Sequence, residues 1–241
     1  MKQRLIDFVK ICLYCSLLTI TVACSKKEDL VTPSPTPTPT DNFILYTGEM
    51  ALMKGNIIGY DFDAQAGKDN WRSYSTGEVI SINGVKLPYV TYKTSMIKPF
   101  FDPKDISKTI RLYAVNMNFV GIDTTTHTFE YIKQLYPRGK KMPFKIGDYS
   151  TKEGMSMDFA DWDYVTNIVK SGSSGFGDQT GSTWEVLDSQ EVPVNEYAKR
   201  YKVTNSLQIT FLINCKLYGE KGYLGDVKNL KIQVVLNYRK M

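Results

Sequence analysis

Residues Leu207–Leu217 read LQITFLINCKL. Leu207, Ile209, Phe211, Ile213, Cys215 and Leu217 fall on every second position, with Gln208, Thr210, Asn214 and Lys216 between them. A period of two sends the first set to one side of a strand and the second set to the other. A second stretch repeats the pattern. Leu230, Ile232, Val234, Leu236 and Tyr238 alternate with Lys231, Gln233, Asn237 and Arg239. One packed face and one wet face is the mark of an antiparallel sheet. The linking segment YGEKGYLGDVKN carries three glycines and reads as the long loop of a hairpin.

Working outward, further strands are predicted at 44–52, 56–62, 78–82, 87–95, 109–120, 155–159, 183–192 and 199–204. Turn signals separate them at Asn83-Gly84, Pro99 with Asp102-Pro103, Pro137 with Gly139, and Gly147-Asp148. His127–Tyr136 differs: Phe129, Ile132 and Leu135 or Tyr136 follow helical spacing and Pro137 ends the run, which predicts one short helix. Residues 171–182, SGSSGFGDQTGS, read as a mobile loop. The fold class is all-β: an antiparallel two-sheet β-sandwich with one short helix, or alternatively a lipocalin-like β-barrel, since both give the same alternation.

The first 41 residues follow other rules. MKQRLIDFVK is basic, and Ile11–Ala23 carries no charge. As a helix that run spans about 20 Å, short of the roughly 30 Å of a bilayer core. A basic start, a short apolar run and a small residue before the cut describe a secretory signal peptide over 1–23. Ala23 directly precedes Cys24, and SKKED follows it. Residues 24–41 then hold an alternating Thr/Pro run, which suits neither helix nor central strand and reads as an extended tether of about 50 Å. Residues 42–241 form a single β-rich domain.

Ala23-Cys24 resembles the bacterial lipobox, with Thr21 where that motif usually has Leu. Lipobox cysteine, short charged run, Thr/Pro spacer and β-rich domain together resemble the outer-membrane lipoproteins of Bacteroidota. The resemblance covers residues 1 to about 41; beyond them only INGVKLPYV and KIGDYS echo it. It implies a diacylglycerol on the Cys24 thiol, fatty chains such as palmitate, and lipid anchoring in the outer membrane. The charged run implies the exterior face, with the periplasmic face as the alternative. Two or three buried chains hold a protein stably at a bilayer without spanning it.

Charge and cysteine content narrow the function. The net charge is +5, and removing residues 1–23 takes away Lys2, Arg4 and Lys10 against Asp7. The near balance, with no basic block, excludes phosphate-dominated nucleic-acid binding. Cys215 is the one cysteine of the domain, so no internal disulfide forms; its place among apolar residues reads as a small buried hydrophobe.

Chemical motifs are sparse. The domain has one histidine, His127, read as a surface or helix-start residue, and no nucleophile elbow or phosphate-binding glycine loop. Asp61, Asp63, Gln65 and Asp69 echo a calcium loop, but Ala66 and Arg72 stand where an EF-hand needs glycine and glutamate. Asp158, Asp161 and Asp163 offer oxygen ligands for calcium, the one cofactor the composition suggests. Trp71, Trp162 and Trp184 are candidate platforms for sugar rings. The sequence therefore favours a non-enzymatic binding or interaction module for a glycan or an envelope protein partner. A lipocalin-like carrier of a small apolar ligand and a hydrolase using carboxylates near Asp158 to Asp163 are the alternatives.

Overall fold

The computed structural model describes residues 43–46, 51–82, 85–145 and 153–240. The signal segment, Cys24, the tether and the Asn83-Gly84 and Gly147-Asp148 turns lie outside the described residues. Twelve strands follow in chain order: β1 (Phe43–Tyr46), β2 (Leu52–Ile57), β3 (Tyr60–Gln65), β4 (Arg72–Ile82), β5 (Val85–Asp102), β6 (Asp105–Asn118), β7 (Ile122–Asp123), β8 (Ser156–Asp163), β9 (Ile168–Ser173), β10 (Thr183–Val192), β11 (Asn205–Gly219) and β12 (Gly222–Tyr238). Among the described residues two short helices join them, α1 (Phe129–Leu135) and α2 (Glu196–Arg200). The fold is all-β and antiparallel.

The hydrogen-bonded path runs β1-β4-β5-β6-β8-β9-β11-β12-β2-β3, with β7 on β5 and β10 on β11. The two halves of this path meet at a single residue pair, Ser173 of β9 with Tyr218 of β11. On one side of that seam lie β4, β5, β6, β8 and β9; on the other lie β10, β11, β12, β2 and β3. The halves face each other. Phe62 of β3 meets Phe159 of β8 at 6.1 Å, and Phe119, just after β6, meets Phe211 of β11 at 5.9 Å. The layers pack as in a sandwich, and the seam makes them one sheet rolled on itself, the feature shared with a barrel.

Burial follows the alternation. Leu207, Ile209, Phe211, Ile213, Cys215 and Leu217 are all buried in one continuous core with Trp184, Met53, Ile57, Met117, Phe159 and Leu230. Each such side chain contributes about 1.5–3 kcal/mol of hydrophobic stabilisation. Cys215 is among them, and burial pushes its thiol up to about 12, which makes it unreactive.

Several sequence expectations are corrected. Residues 218–229 are not a long loop, because β11 and β12 continue to a tight turn between Gly219 and Gly222. Gly222 and Gly225 take positive φ of 103° and 155° there, so these glycines serve a turn and an irregular strand. Residues 171–182 are not loose: Ser173 ends β9 and caps a 3-10 turn at Ser174–Phe176, with Ser174 and Gly175 buried. The strand expected at 199–204 is instead α2 and its exit. Asn195 accepts from the Ala198 N–H as N-cap, with Glu196 in the first turn and Lys199 and Arg200 in the last. Pro99 lies inside β5, but β4 pairing stops at Ile97, so its missing N–H costs no ladder bond on that edge.

The helix expected within 127–136 is present as α1, with Thr128 accepting from the Tyr131 N–H as N-cap. His127 stands at its start as expected, but it is buried rather than exposed. Its Nε2 lies 2.9 Å from the Tyr92 hydroxyl, and its ring packs on Tyr238 with centroids 5.1 Å apart. Burial lowers its pKa to about 4. An unfolded histidine binds its proton near pH 6.5, so acid favours the unfolded chain. The stability held above pH 6.5 is expected to fall by about 2–3 kcal/mol as pH drops toward 4. Urea unfolding across that range checks this, and His127→Phe should flatten the change.

Candidate functional site

The inner faces of β5, β6, β8 and β9 begin apolar and turn polar toward one end of the roll. Met96, Val115, Met117, Met157 and Phe159 are buried in the core. Further along the same faces come Lys98 and Phe100 of β5, Arg111 and Tyr113 of β6, Asp161 of β8 and Lys170 of β9. Register brings them together: Lys98 pairs with Tyr113, Phe100 with Arg111, Tyr113 with Asp161, and Asp161 with Lys170. The facing layer adds Tyr60 and Phe62 from β3, and Trp71 follows in the β3–β4 connection.

Asp161 organises this mouth. Arg111 Nε donates to its Oδ1 at 2.8 Å and an Arg111 terminal nitrogen to its Oδ2 at 2.7 Å, a two-point pairing. The Tyr60 hydroxyl donates to Oδ2 at 3.1 Å. The Asp161 side chain is 7% exposed and that of Arg111 39%, so the carboxylate is sequestered while the guanidinium reaches solvent. The hydrogen bonds to Asp161 hold the Arg111 pKa above its already high ordinary value. Burial first, and then the hydrogen bond to Asp161, raise the Tyr60 phenol.

Cations lie over aromatic faces throughout the mouth. Arg111 sits 5.0 Å from the Tyr113 ring centre and Lys170 5.2 Å from that of Tyr60. Lys98 sits 5.6 Å from Trp71 and 5.4 Å from Phe100. Each such contact is worth roughly 0.5–1 kcal/mol at exposed positions. Lys98, Arg111 and Lys170 face Asp161, with Asp163 opposite Arg111 at the rim, so three cations against two carboxylates leave the mouth a net positive charge. Both Asp161 oxygens already accept from strong donors, which suits a strut more than a proton-transfer group.

The predicted tryptophans separate. Trp184 is fully buried and packs edge-on against Phe211 with centroids 5.9 Å apart, a core role. Trp162 is half-buried on the outer face, in a cross-strand row with Pro99, Leu112 and Val169. Trp71 is also a core residue, 5% exposed and edge-on to Phe62, but it lies at the base of the mouth under Lys98.

The three aspartates are not brought together either. They lie in strand β8, where residues of unlike parity point to opposite faces. Asp158 is on the outer face and accepts from Asn118 Nδ2 at 3.1 Å. Asp161 and Asp163 are on the inner face, and Asp163 Oδ1 accepts the backbone N–H groups of Val165 and Thr166. Among the described residues no three His, Cys, Asp or Glu side chains converge as a metal group.

Arg111, Tyr113, Lys98, Lys170 and Tyr60 escaped the sequence reading. For two of them a signal exists: Lys98 follows Tyr92, Thr94 and Met96 on an otherwise inward parity, and Arg111 stands in the same relation to Met117, Val115 and Tyr113. A charge on the core parity of a strand end marks the rim of a core.

Fold and site together define a class: an antiparallel β roll with a cation-lined aromatic mouth. The chain matches no protein-family model, no curated protein and no solved structure.

Proposed function

We propose that this chain is a lipid-anchored, non-enzymatic binding module of the outer membrane, facing the exterior, and that its mouth takes an acidic glycan. The observation that carries the ligand class is the set of Lys98, Arg111 and Lys170 over the Trp71, Phe100, Tyr113 and Tyr60 rings. The half-buried rings of Tyr60, Phe100 and Tyr113 suit the C–H faces of sugars, and the surplus of cations suits carboxylates or sulfates. The interior is filled by large side chains such as Trp184, Tyr92, Tyr136 and Phe119, which supports an external site over an internal carrier. The double engagement of Asp161 weighs against a hydrolase. The anchoring half rests on the basic start, the short apolar run and Ala23-Cys24.

An envelope protein is the second reading, and one observation favours it. Tyr164, Val165, Ile168 and Val169 at the β8–β9 tip are 53–71% exposed, beside the mouth.

Binding of the full chain to alginate and to neutral dextran tests the ligand class. Alginate should bind, more weakly as salt rises, and Lys98→Ala with Lys170→Ala should weaken it at least about tenfold. That pair leaves the Arg111–Asp161 contact intact, and an unchanged melting temperature is the expected check on its folding. Absence of alginate binding, or equal binding by the double variant, contradicts the proposal. For the anchor, labelled palmitate should enter the native chain and not Cys24→Ala; label in both, or in neither, contradicts it.

A further inference from the structure

The outer face of the β10-β11-β12-β2-β3 layer is hollowed into an open trough of about 850 Å³. It lies on the opposite side of its layer from the core. One register row crosses all five strands: Asp188 pairs with Thr210, Thr210 with Gln233, Gln233 with Leu52, and Leu52 with Gln65. Four inter-strand steps at about 4.8 Å make the row roughly 19 Å long. Gln190 and Gln208 pair one step along the same wall. Lys68 and Asp69 follow β3 at one edge of the layer, and Arg138 lies at the other, beside Gly139, whose N–H donates to the Val186 carbonyl of β10.

We propose that this trough is a second ligand site, for an extended, neutral, hydroxyl-rich polymer, a neutral polysaccharide chain. Side-chain amides carry two N–H donors and an oxygen with two acceptor positions. Each of the four glutamine amides in the trough has more donor and acceptor positions than a single protein partner uses, so together they can give and take hydrogen bonds as sugar hydroxyls do. The row repeats at strand spacing, which suits a ligand that repeats. Leu52, 39% exposed and fourth of the five residues in the row, offers an apolar patch for the C–H face of a ring, with amides on both neighbouring strands.

The charges decide against other ligands. Lys54, Lys68, Arg138 and Lys231 face Asp63, Asp69 and Asp188, and Lys54 is already paired with Asp63 at 2.9 Å. The near balance gives no field for a polyanion, unlike the mouth. Protein interfaces concentrate aromatic residues and shed charge at their centres; this trough has charged residues and no aromatic side chain in its lining.

Affinity electrophoresis of the full chain through gels containing amylopectin, galactomannan, xylan or hydroxyethylcellulose tests the site. At least one polymer should retard the native chain, and Gln208→Ala with Gln233→Ala should weaken retardation at least tenfold. Leu52→Glu, a change at an exposed position, should do the same; the melting temperature of each variant confirms folding. Lys98→Ala with Lys170→Ala should leave retardation unchanged, which separates this site from the mouth. Free migration in all four gels, or equal retardation of the glutamine and Leu52 variants, overturns the proposal.

Discussion

Strand β11 is committed on three sides at once, and the rest of the roll takes its position from that. One edge pairs with β12 along nearly its whole length, from Asn205 with Tyr238 to Gly219 with Gly222. The other edge is shared. β10 occupies it from Ser206 to Asn214, and β9 touches it at Tyr218, where the two layers join. The face bearing Leu207 to Leu217 fills the core. A slip of one residue would turn that face to solvent and move both neighbours together, so the register is strongly fixed.

Because the layers are joined at one end of β11, they face each other and open where their strands outrun the apolar core. The mouth is what that geometry leaves at the rim. There Asp161 acts as a strut: it is covered by β3 through Tyr60 and orients Arg111 from β6. Its burial without a cation would be costly, and Arg111 offsets that cost while keeping part of its guanidinium in water. The trough on the outer face of the second layer has a different origin. It comes from the wet parity of the same strands whose dry parity builds the core. One layer therefore supplies packing on one side and an amide array on the other.

The sequence disclosed the parts of this architecture that depend on local pattern. The alternation in β11 and β12, the helix capped by Thr128 and the burial of Cys215 all follow from residues close in the chain. Gly222 and Gly225 misled because glycine serves turns, bulges and loops alike, and only pairing distinguishes them. Ser173 and Ser174 looked like loop residues because serine caps and buries its hydroxyl only in a given tertiary setting, here under the Met157 N–H that donates to Ser174. The mouth was hidden for a simpler reason. Tyr60 and Asp161 lie 101 residues apart, and nothing local couples them. Asp158, Asp161 and Asp163 were adjacent enough to suggest a cluster, but a strand splits them between faces, which spacing alone shows only once the strand is known to extend through Asp163.

Native-state hydrogen exchange, resolved by residue, tests the organising role of β11 most directly. The amides of Ile209, Phe211 and Ile213, with their partners Ile232 and Leu230 in β12, should exchange only through global unfolding and be the slowest in the chain. Earlier exchange of these amides than of those in the β4–β5 pairing would contradict the account, since the roll would then be organised around a different element.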